Sequence, residues 1–308
     1  MQKKIYGKLS SIVHYIHKVP MLKNYFVSLQ ALGDNLISLS LLAQLDERIK
    51  ILGTKQTQSV LRLMGIEEKF DLLMPFEDIP AFYDIRKRGI FKALKDIIHF
   101  RSYVKKHRIQ ELIFEKCDWR VRLLTFGLHI NVKSRFYDDN VYVNRKLLIE
   151  NVYRSTLYLN EGKESFFPKK IQKVLINPTT RVALKNIQSD HLHFIIALLH
   201  KNHIEVTLID FEQKYTDLEN QVAHYKAHTT LNDVKNLLLE TDLYIGADSF
   251  LIHYAYYLHK PFFIVFNQEN THFLPPVCSH LKNYIMATQG NFEWRLSEKL
   301  TALGIVAK

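Results

Sequence analysis

The sequence predicts an α/β protein built from two successive β/α domains with a cleft between them. Short apolar runs typical of strands alternate with longer amphipathic stretches typical of helices, the pattern of parallel sheets covered by helices. The alternation breaks once, around residues 160–173, where Gly162 and Pro168 stand among clustered charges, and then restarts. The length of 308 residues also corresponds to two domains of about 150 residues each.

The predicted elements divide the chain into four parts. Residues 1–24 form an amphipathic helix, residues 25–165 and 166–290 form the two β/α domains, and residues 291–308 form a C-terminal helix. The first domain has predicted strands at 25–29, 48–52, 72–74 and 111–114, and helices at 36–45, 59–64 and 85–106. The second has predicted strands at 174–176, 206–209, 243–245 and 262–266, and helices at 190–200, 231–239 and 249–258.

Composition limits the partners and the compartment. The chain has 42 lysines and arginines against 31 acidic residues, a formal net charge of +11, which favours an anionic partner. Nucleic acid is disfavoured because no recognised nucleic-acid-binding motif is present. The two cysteines lack CxxC spacing, which argues against a disulfide framework and a structural zinc site. Neither a signal peptide nor an apolar run of about 20 residues is present, so we expect a cytoplasmic protein.

Two basic segments are candidates for contact with an anionic surface. The helix predicted at 1–24 has apolar residues at helical spacing and lysines elsewhere around the turn, so it either packs on its own domain or lies on an anionic membrane. Ten basic residues occur in and around the helix predicted at 85–106, and they form either a solvated face or a surface that attracts an anionic partner. They are Arg86, Lys87, Arg88, Lys92, Lys95, Arg101, Lys105, Lys106, His107 and Arg108.

The first candidate site is the segment Gly33-Asp34-Asn35, which follows a strand and opens a helix. Ligands of parallel α/β sheets bind at the carboxyl ends of strands, so this loop is expected to face the cleft. Gly33 permits a tight turn or a close approach to the backbone. Asp34 is a candidate functional carboxylate, but it is also a good N-cap for the helix.

The second candidate site follows the first strand of the second domain. Thr179, Thr180 and Arg181 lie there, with Lys185 four residues further on. Two hydroxyl groups, a guanidinium and an ammonium within seven residues can form a phosphate-binding loop. A solvated basic loop before a helix is an equally good interpretation of the same composition.

The third candidate site is the helix start at Asp248 and Ser249, with His253 one turn into the helix. The free N–H groups at such a helix terminus suit a phosphate. His253 lies near the same face as Ser249, although a histidine on an otherwise apolar helix is more often a hydrogen-bonded core residue. The segment then continues into Lys260-Pro261 and the apolar strand at 262–266.

In this order and spacing, the three sites resemble glycosyltransferase family 9, the bacterial heptosyltransferase family. The resemblance lies in the Leu32-Gly33-Asp34 loop, the segment from Arg181 to Lys185, and the Asp248-Ser249 helix start with His253, followed by Lys260-Pro261. It covers about residues 25–290. It implies a GT-B fold, in which two Rossmann-like domains face each other across a cleft, the first binding the acceptor and the second the nucleotide sugar.

The resemblance also implies a reaction and a set of roles. The reaction is metal-independent, inverting transfer of a sugar, heptose in the first place, from a nucleoside diphosphate to a lipopolysaccharide or lipooligosaccharide core. The expected partners are ADP-heptose and a phosphorylated, lipid-linked glycan, and no cofactor or metal is expected. The expected location is the cytoplasm, or peripherally the inner face of the inner membrane. Asp34 is the expected general base, and Gly33 and Asn35 form the acceptor loop. The expected ligands of the ribose or base are Asp210 and Glu212. The donor phosphates are expected to bind to Thr179, Thr180, Arg181, Lys185, Asp248, Ser249 and His253.

The chain departs from the family pattern where the nucleotide is expected. Phe250 replaces the glycine after the Asp-Ser pair, Asn267 replaces the glycine after the last strand, and Asp210 and Phe211 replace two further glycines. Each replacement adds bulk near the donor. Two alternatives therefore stay open: a GT-B transferase for a different donor sugar, or a catalytically degenerate member that binds sugar nucleotides or acts as a scaffold.

Overall fold

The computed structural model describes residues 24–116, 118–134, 140–160, 166–267 and 271–307. It contains two all-parallel sheets, one in each half of the chain. The first has the order β3-β2-β1-β4-β5, with β1 Asn24–Val27, β2 Ile49–Leu52, β3 Phe70–Leu73, β4 Glu111–Ile113 and β5 Asn131–Lys133. The second has the order β11-β10-β9-β6-β7-β8, with β6 Lys173–Asn177, β7 Glu205–Ile209, β8 His224–Lys226, β9 Leu243–Ala247, β10 Phe262–Phe266 and β11 Tyr284–Met286.

Eleven α-helices connect and cover the strands in the described residues. In the first half they are α1 Leu32–Leu42, α2 Lys55–Met64, α3 Ile85–Arg88, α4 Ile90–Lys106, α5 Trp119–Thr125 and α6 Val141–Tyr153. In the second half they are α7 Ser189–Lys201, α8 Leu231–Glu240, α9 Phe250–Tyr257, α10 Cys278–Leu281 and α11 Phe292–Ala302. The predicted α/β architecture of two β/α domains is confirmed. The helix predicted at 1–24 lies outside the described residues, apart from residue 24.

Local sequence explains where several elements begin. β10 is an unbroken apolar run because all five of its residues are buried, as in a parallel sheet covered on both faces. Helix α2 begins four residues earlier than predicted because Thr54 and Thr57 form a capping box, in which each side chain bonds the other residue's backbone N–H. None of the described helices is long and apolar enough to span a bilayer.

The prediction of a single basic helix at 85–106 is wrong, because two helices, α3 and α4, occupy this range. Gly89 has φ of +84°, a non-helical conformation that ends α3 and separates it from α4. Six further elements were not predicted: strands β5, β8 and β11, and helices α5, α6 and α10. The three strands have three residues each, too few to show a periodicity.

The two halves share a continuous apolar core. Leu36 and Ile37 of α1 belong to the same buried cluster as Leu251, Ile252 and Tyr254 of α9. Helix α9 packs directly on α1, so the loops after β1 and β9 are held side by side, and α6 packs on the same helix α1. The C-terminal helix α11 packs on α7 through Phe292, Leu296 and Leu300, and it therefore belongs to the core of the second domain.

Candidate active site

The three predicted loops converge on one cleft between the two sheets. The cleft has a volume of about 560 Å³ and is lined by residues that follow β1, β6, β7 and β9. β1 belongs to the first sheet and β6, β7 and β9 to the second, and the loops at the carboxyl ends of these strands meet in the cleft, as expected. Of the residues predicted from sequence, the lining includes Gly33, Asp34, Thr179, Thr180, Arg181, Lys185, Glu212, Asp248, Ser249 and His253.

A second chamber of about 530 Å³ adjoins the first. The two chambers share Ala31, Asp34, Arg181 and Phe273 in their walls. The second chamber is lined mainly by the first domain and carries several charged side chains, which include Lys116, Asp118, Arg120 and Arg145. Asp34 is therefore a carboxylate at the boundary between the two chambers.

Asp34 is not the N-cap of its helix. Ala31 is the N-cap of α1, and Asp34 lies in the first turn of the helix with its side chain 27% exposed. Arg145 of α6 donates from Nη2 to Asp34 Oδ1 over 2.8 Å and from Nη1 to the Asp34 backbone carbonyl over 2.7 Å. This two-point contact fixes the direction of the carboxylate.

A second carboxylate lies behind this pair. Glu115, two residues after β4, is buried with Arg145, and their Oε2 and Nη2 atoms are 2.5 Å apart. The Ser38 hydroxyl donates to the other oxygen of Glu115. Burial raises the pKa of Glu115 to about 7; the charge of Arg145 lowers it and that of Asp34 raises it. Arg145 thus bridges two carboxylates, one in the cleft and one in the core.

Neither Arg145 nor Glu115 was found from sequence. Glu115 carried a usable signal, because it directly follows the predicted strand at 111–114 and so had to lie at the same sheet edge as Asp34. Arg145 carried none, because its position in the middle of α6 acquires meaning only through contacts with residues far away in the chain.

Across the cleft, Lys185 and Asp248 form an ion pair. Lys185 Nζ lies 2.7 Å from Asp248 Oδ2, and 28% and 11% of the two side chains are exposed. Asp248 therefore holds the ammonium group at the cleft, and as an anion it would repel a phosphate. Asp248 was predicted to bind the donor phosphates. Its position fits an indirect role, in which it orients Lys185.

The loop that contains Thr179 and Thr180 is stabilised by hydrogen bonds within the loop. The Thr180 hydroxyl donates to the Val182 carbonyl over 2.8 Å, and the Thr180 N–H donates to Asn186 Oδ1 over 2.7 Å. Asn267, one of the departures from the family pattern, donates to the Asn186 carbonyl and so helps to hold this loop. Thr179 is buried, and Arg181 is exposed at the boundary of the two chambers.

The start of α9 faces the cleft. Ser249 is its N-cap and makes no side-chain capping bond, and Phe250, the first helical residue, also lines the cleft. The side chain of Phe250 stacks on Tyr254, with the ring centroids 5.8 Å apart. The bulk at position 250 is therefore packed partly along the helix.

His253 is both a core residue and part of the cleft wall. It is 6% exposed, and its Nδ1 lies 2.7 Å from the Tyr142 hydroxyl. Burial lowers its pKa to about 4 although Asp248 and Asp34 act in the opposite direction, so the imidazole is neutral at pH 7. A Cβ at Gly33 would lie 3.3 Å from His253 Cδ2, so the glycine permits the close approach of α1 to α9.

Two predicted site residues do not reach the cleft. Asp210 is fully buried, where its Oδ2 accepts bonds from the Tyr215 N–H and the Tyr225 hydroxyl, each over 2.7 Å. Asn35 is also fully buried and accepts from the Ser28 hydroxyl over 2.7 Å. Both side chains stabilise loops, which corrects their assignment to the ribose and to the acceptor. Glu212 lines the cleft and pairs with Lys214.

In the described residues no group of three or more histidine, cysteine, aspartate or glutamate side chains is arranged to hold a metal ion. Lys185, Arg181 and the first turn of α9 bring positive charge and N–H groups to the cleft from the second domain.

Comparison with known proteins agrees with this architecture. Residues 144–299 match glycosyltransferase family 9 (heptosyltransferase). No protein with curated annotation matches the chain. Similar solved structures include E. coli heptosyltransferase WaaC with ADP-2-deoxy-2-fluoro heptose, which is 14% identical, has a TM-score of 0.60 and is matched over 92% of this chain and 97% of its own.

Two others are similar to the same degree. E. coli ADP-heptose lps heptosyltransferase II is 14% identical with a TM-score of 0.59, over 92% of this chain and 98% of its own. A family 9 glycosyltransferase from Veillonella parvula is 13% identical with a TM-score of 0.60, over 92% and 97%. The family match covers half of the sequence, and the fold is shared over nearly all of it. The chain therefore belongs to glycosyltransferase family 9 and is a glycosyltransferase with the GT-B fold.

Proposed function

We propose that this protein is an inverting, metal-independent transferase that moves heptose from ADP-heptose to a lipopolysaccharide or lipooligosaccharide core acceptor in the cytoplasm. The observation that carries the proposal is the position of Asp34 between two chambers, held by Arg145. Similar structures contain ADP and ADP-2-deoxy-2-fluoro heptose, which supports an ADP-sugar as the donor.

In this mechanism Asp34 is the general base. An acceptor hydroxyl in the second chamber attacks the anomeric carbon of a sugar bound in the first, and Asp34 takes its proton. An aspartate is a weak base for a sugar hydroxyl, so proton transfer runs late, as the attacking oxygen gains positive character. Arg145 is a positioning residue, because it holds one carboxylate oxygen and leaves the side chain partly exposed to the cleft.

The leaving diphosphate is stabilised from the second domain. Lys185 supplies a positive charge, and the first-turn N–H groups of α9 supply donors near Ser249. His253 is neutral; with the Tyr142 hydroxyl as the donor to Nδ1, the ring proton lies on Nε2 and can bond an oxygen of the sugar or phosphate. Losing one such preorganised donor typically costs about 2.7–4 kcal/mol of transition-state stabilisation.

The second chamber is the proposed acceptor site. Four cationic side chains, Lys116, Arg120, Arg145 and Arg181, line it together with Asp34, Asp84 and Asp118. The cations can bind the charged groups of a phosphorylated or carboxylated glycan. Arg120 is held by Asp118, and its carbon Cζ lies 5.4 Å from the centroid of the Tyr83 ring. The guanidinium is thus fixed at the chamber wall before an acceptor arrives.

The proposal is tested first by calorimetric titration with ADP, UDP, GDP and CMP, each with EDTA and with magnesium. ADP is expected to bind most tightly, with the same affinity under both conditions. Binding that requires magnesium would contradict a phosphate site built from Lys185 and a helix terminus. Absence of binding to all four nucleotides would contradict the donor site itself and favour a degenerate or scaffolding protein.

The role of Asp34 is tested by Asp34→Asn, which keeps the shape of the side chain. Removing a general base is expected to lower kcat about 10²–10⁴-fold while ADP affinity stays unchanged. Normal turnover of Asp34→Asn with an ADP-heptose donor would show that Asp34 is not the base.

A further inference from the structure

The outer faces of α4 and α5 carry an unusual amount of exposed apolar surface. On α4 it consists of Ile90, Phe91, Leu94 and Ile98, and in and after α5 it consists of Trp119, Leu123 and Phe126. Phe91 is 86% exposed and Phe126 is 76% exposed. We call these seven residues the α4–α5 surface. Contiguous apolar patches of this kind mark sites of interaction.

The seven residues form two stripes at helical spacing. On α4 the exposed stripe lies beside the buried one, which contains Ala93, Ile97, Phe100 and Val104. Trp119, Leu123 and Phe126 are separated by four and three residues, so they share the face opposite the buried Val121 and Leu124. Arg101 of α4 donates to the Phe126 carbonyl and so holds the end of α5 against α4. The two stripes are therefore neighbours.

Positive charge is concentrated around the same surface. Residues 85–110 contain nine lysines and arginines and one acidic residue, a net charge of +8, in a chain whose total is +11. The acidic residue, Asp96, accepts a bond from the Ala81 N–H over 2.7 Å. Within the described part of the chain, none of the nine basic side chains forms a salt bridge. Their charge is thus available to an anionic partner.

We propose that the α4–α5 surface docks on an anionic lipid bilayer, with its apolar side chains in the interface and the surrounding lysines and arginines at the headgroups. Aromatic and aliphatic side chains beside a basic face are the features of helices that lie in the membrane plane. A second copy of this chain is a poorer occupant, because a symmetric contact would place two strongly positive segments against each other.

Docking in this way would bring the cleft to the membrane. The second chamber is lined by Tyr83 and Asp84, which directly precede α3, and by Lys116, Asp118 and Arg120 at the start of α5. The chamber is thus walled by the beginnings of the same segments that form the surface. This orientation rests on the proposed acceptor being lipid-linked, whereas docking itself does not depend on the proposed reaction.

The two tryptophans of the chain make a direct test possible, because Trp119 lies in the surface and Trp294 lies on α11 of the second domain. Trp294 is also 59% exposed, so it is a matched reporter. The probes are vesicles of phosphatidylcholine with and without phosphatidylglycerol, prepared with brominated acyl chains. In the Trp294→Phe protein we expect Trp119 emission to shift to shorter wavelength and to be quenched on vesicles that contain phosphatidylglycerol. In the Trp119→Phe protein we expect neither change.

Three results of the vesicle experiment would overturn the proposal. They are no binding to anionic vesicles, binding that quenches Trp294 and not Trp119, and binding through residues 1–23 that leaves Trp119 unquenched. Since the quenching is local, the last case is separated from docking by α5. Loss of transferase activity has no bearing on the test, so failure of the proposed function and failure of docking are distinguishable.

Substitutions separate the apolar and charged contributions. Phe91→Ser with Ile98→Ser is expected to weaken binding at every salt concentration, whereas Trp294→Ser has no effect. Lys95→Ala with Lys105→Ala is expected to lower binding to anionic vesicles roughly 30-fold at low salt. Lys170→Ala with Lys201→Ala, at exposed positions of the second domain, is the charge-matched control.

Sedimentation equilibrium tests whether the same surface joins two copies of the chain. If it shows a dimer that Phe91→Ser with Ile98→Ser abolishes, the surface joins two copies and the membrane proposal is wrong.

Discussion

Asp34 shares its arginine with a second, buried carboxylate. When Glu115 is ionised, Arg145 faces two negative charges and binds both; when Glu115 is protonated, Asp34 is the remaining anionic partner of that pair. Burial raises the pKa of Glu115 to about 7, so the balance changes near neutral pH. The contact of Arg145 with the proposed base therefore depends on the protonation of Glu115, a buried residue that lines neither chamber.

The raised pKa of Glu115 predicts a pH dependence of stability. In the unfolded chain the carboxyl titrates near 4.5, and in the folded protein near 7, so the folded protein binds more protons between these values. The favourable contribution is fully present below about pH 4.5 and is lost as the pH rises through about 7. The free energy of unfolding of the wild type relative to Glu115→Gln should therefore fall across this range.

Denaturant unfolding at several pH values measures this difference. Glu298→Gln, at an exposed position on α11, controls for the change from carboxyl to amide. A difference between wild type and Glu115→Gln that does not change between pH 5 and 7.5 would mean that Glu115 does not titrate in this window.

Lys185 gives a second prediction at the level of one residue. Lys185→Ala removes the charged contact to a diphosphate and is expected to weaken ADP binding by about 1.5–3 kcal/mol, or roughly 10- to 150-fold. Lys214→Ala is the matched control, because Lys214 pairs with Glu212 and does not line the cleft. Calorimetry measures both, and an unchanged affinity of Lys185→Ala would remove Lys185 from the phosphate site.

At the scale of the element, β9 carries the loop that presents Asp248 and Ser249. Gly246 lies in this strand between β6 and β10. A Cβ at position 246 would lie 2.3 Å from the Tyr244 hydroxyl oxygen and 2.6 Å from its Cζ. Tyr244 is 1% exposed, so its ring has little room to move. The glycine is required by this close approach.

Gly246→Ala is therefore expected to destabilise the protein by about 1–3 kcal/mol, the usual cost of overpacking a core. Gly290→Ala is the control, since no atom lies within 4 Å of a Cβ at that position and the change should stay within about 0.5 kcal/mol. Thermal or denaturant unfolding measures both variants. Equal stability of the two would mean that Tyr244 moves aside at little cost.

Most of the missed elements are short or exposed, but α6, with 13 residues, was missed as well, because the polar Asn144 and Arg145 interrupt its buried face. Strands such as β10, with five buried residues, show as continuous apolar runs. Strand β5, Asn131–Lys133, is short and largely exposed, so it has neither apolar character nor period. The site divides in the same way: Asp34 and Lys185 follow recognisable strands, whereas Arg145 acquires its role from contacts 111 residues away in sequence.

At the scale of the whole molecule, the two sheets are joined by more than a linker. Besides the shared apolar core, the Leu63 carbonyl at the end of α2 accepts bonds from Lys235 Nζ over 3.0 Å and from the Tyr254 hydroxyl over 3.2 Å. Both donors belong to the second half of the chain. The arrangement of the cleft therefore depends on contacts that neither domain makes alone.

This shared core predicts that the two domains unfold together. Leu251 of α9 is 4% exposed and lies in the cluster that also contains Leu36 and Ile37 of α1. Leu251→Ala should cost about 2–5 kcal/mol and lower the protection of both sheets equally. Native-state hydrogen exchange in rising denaturant measures this through the amides of β1 and β9. If only the amides of β9 lose protection, the domains unfold independently, and the position of Asp34 opposite Lys185 would have to be fixed by bound substrate and not by the core.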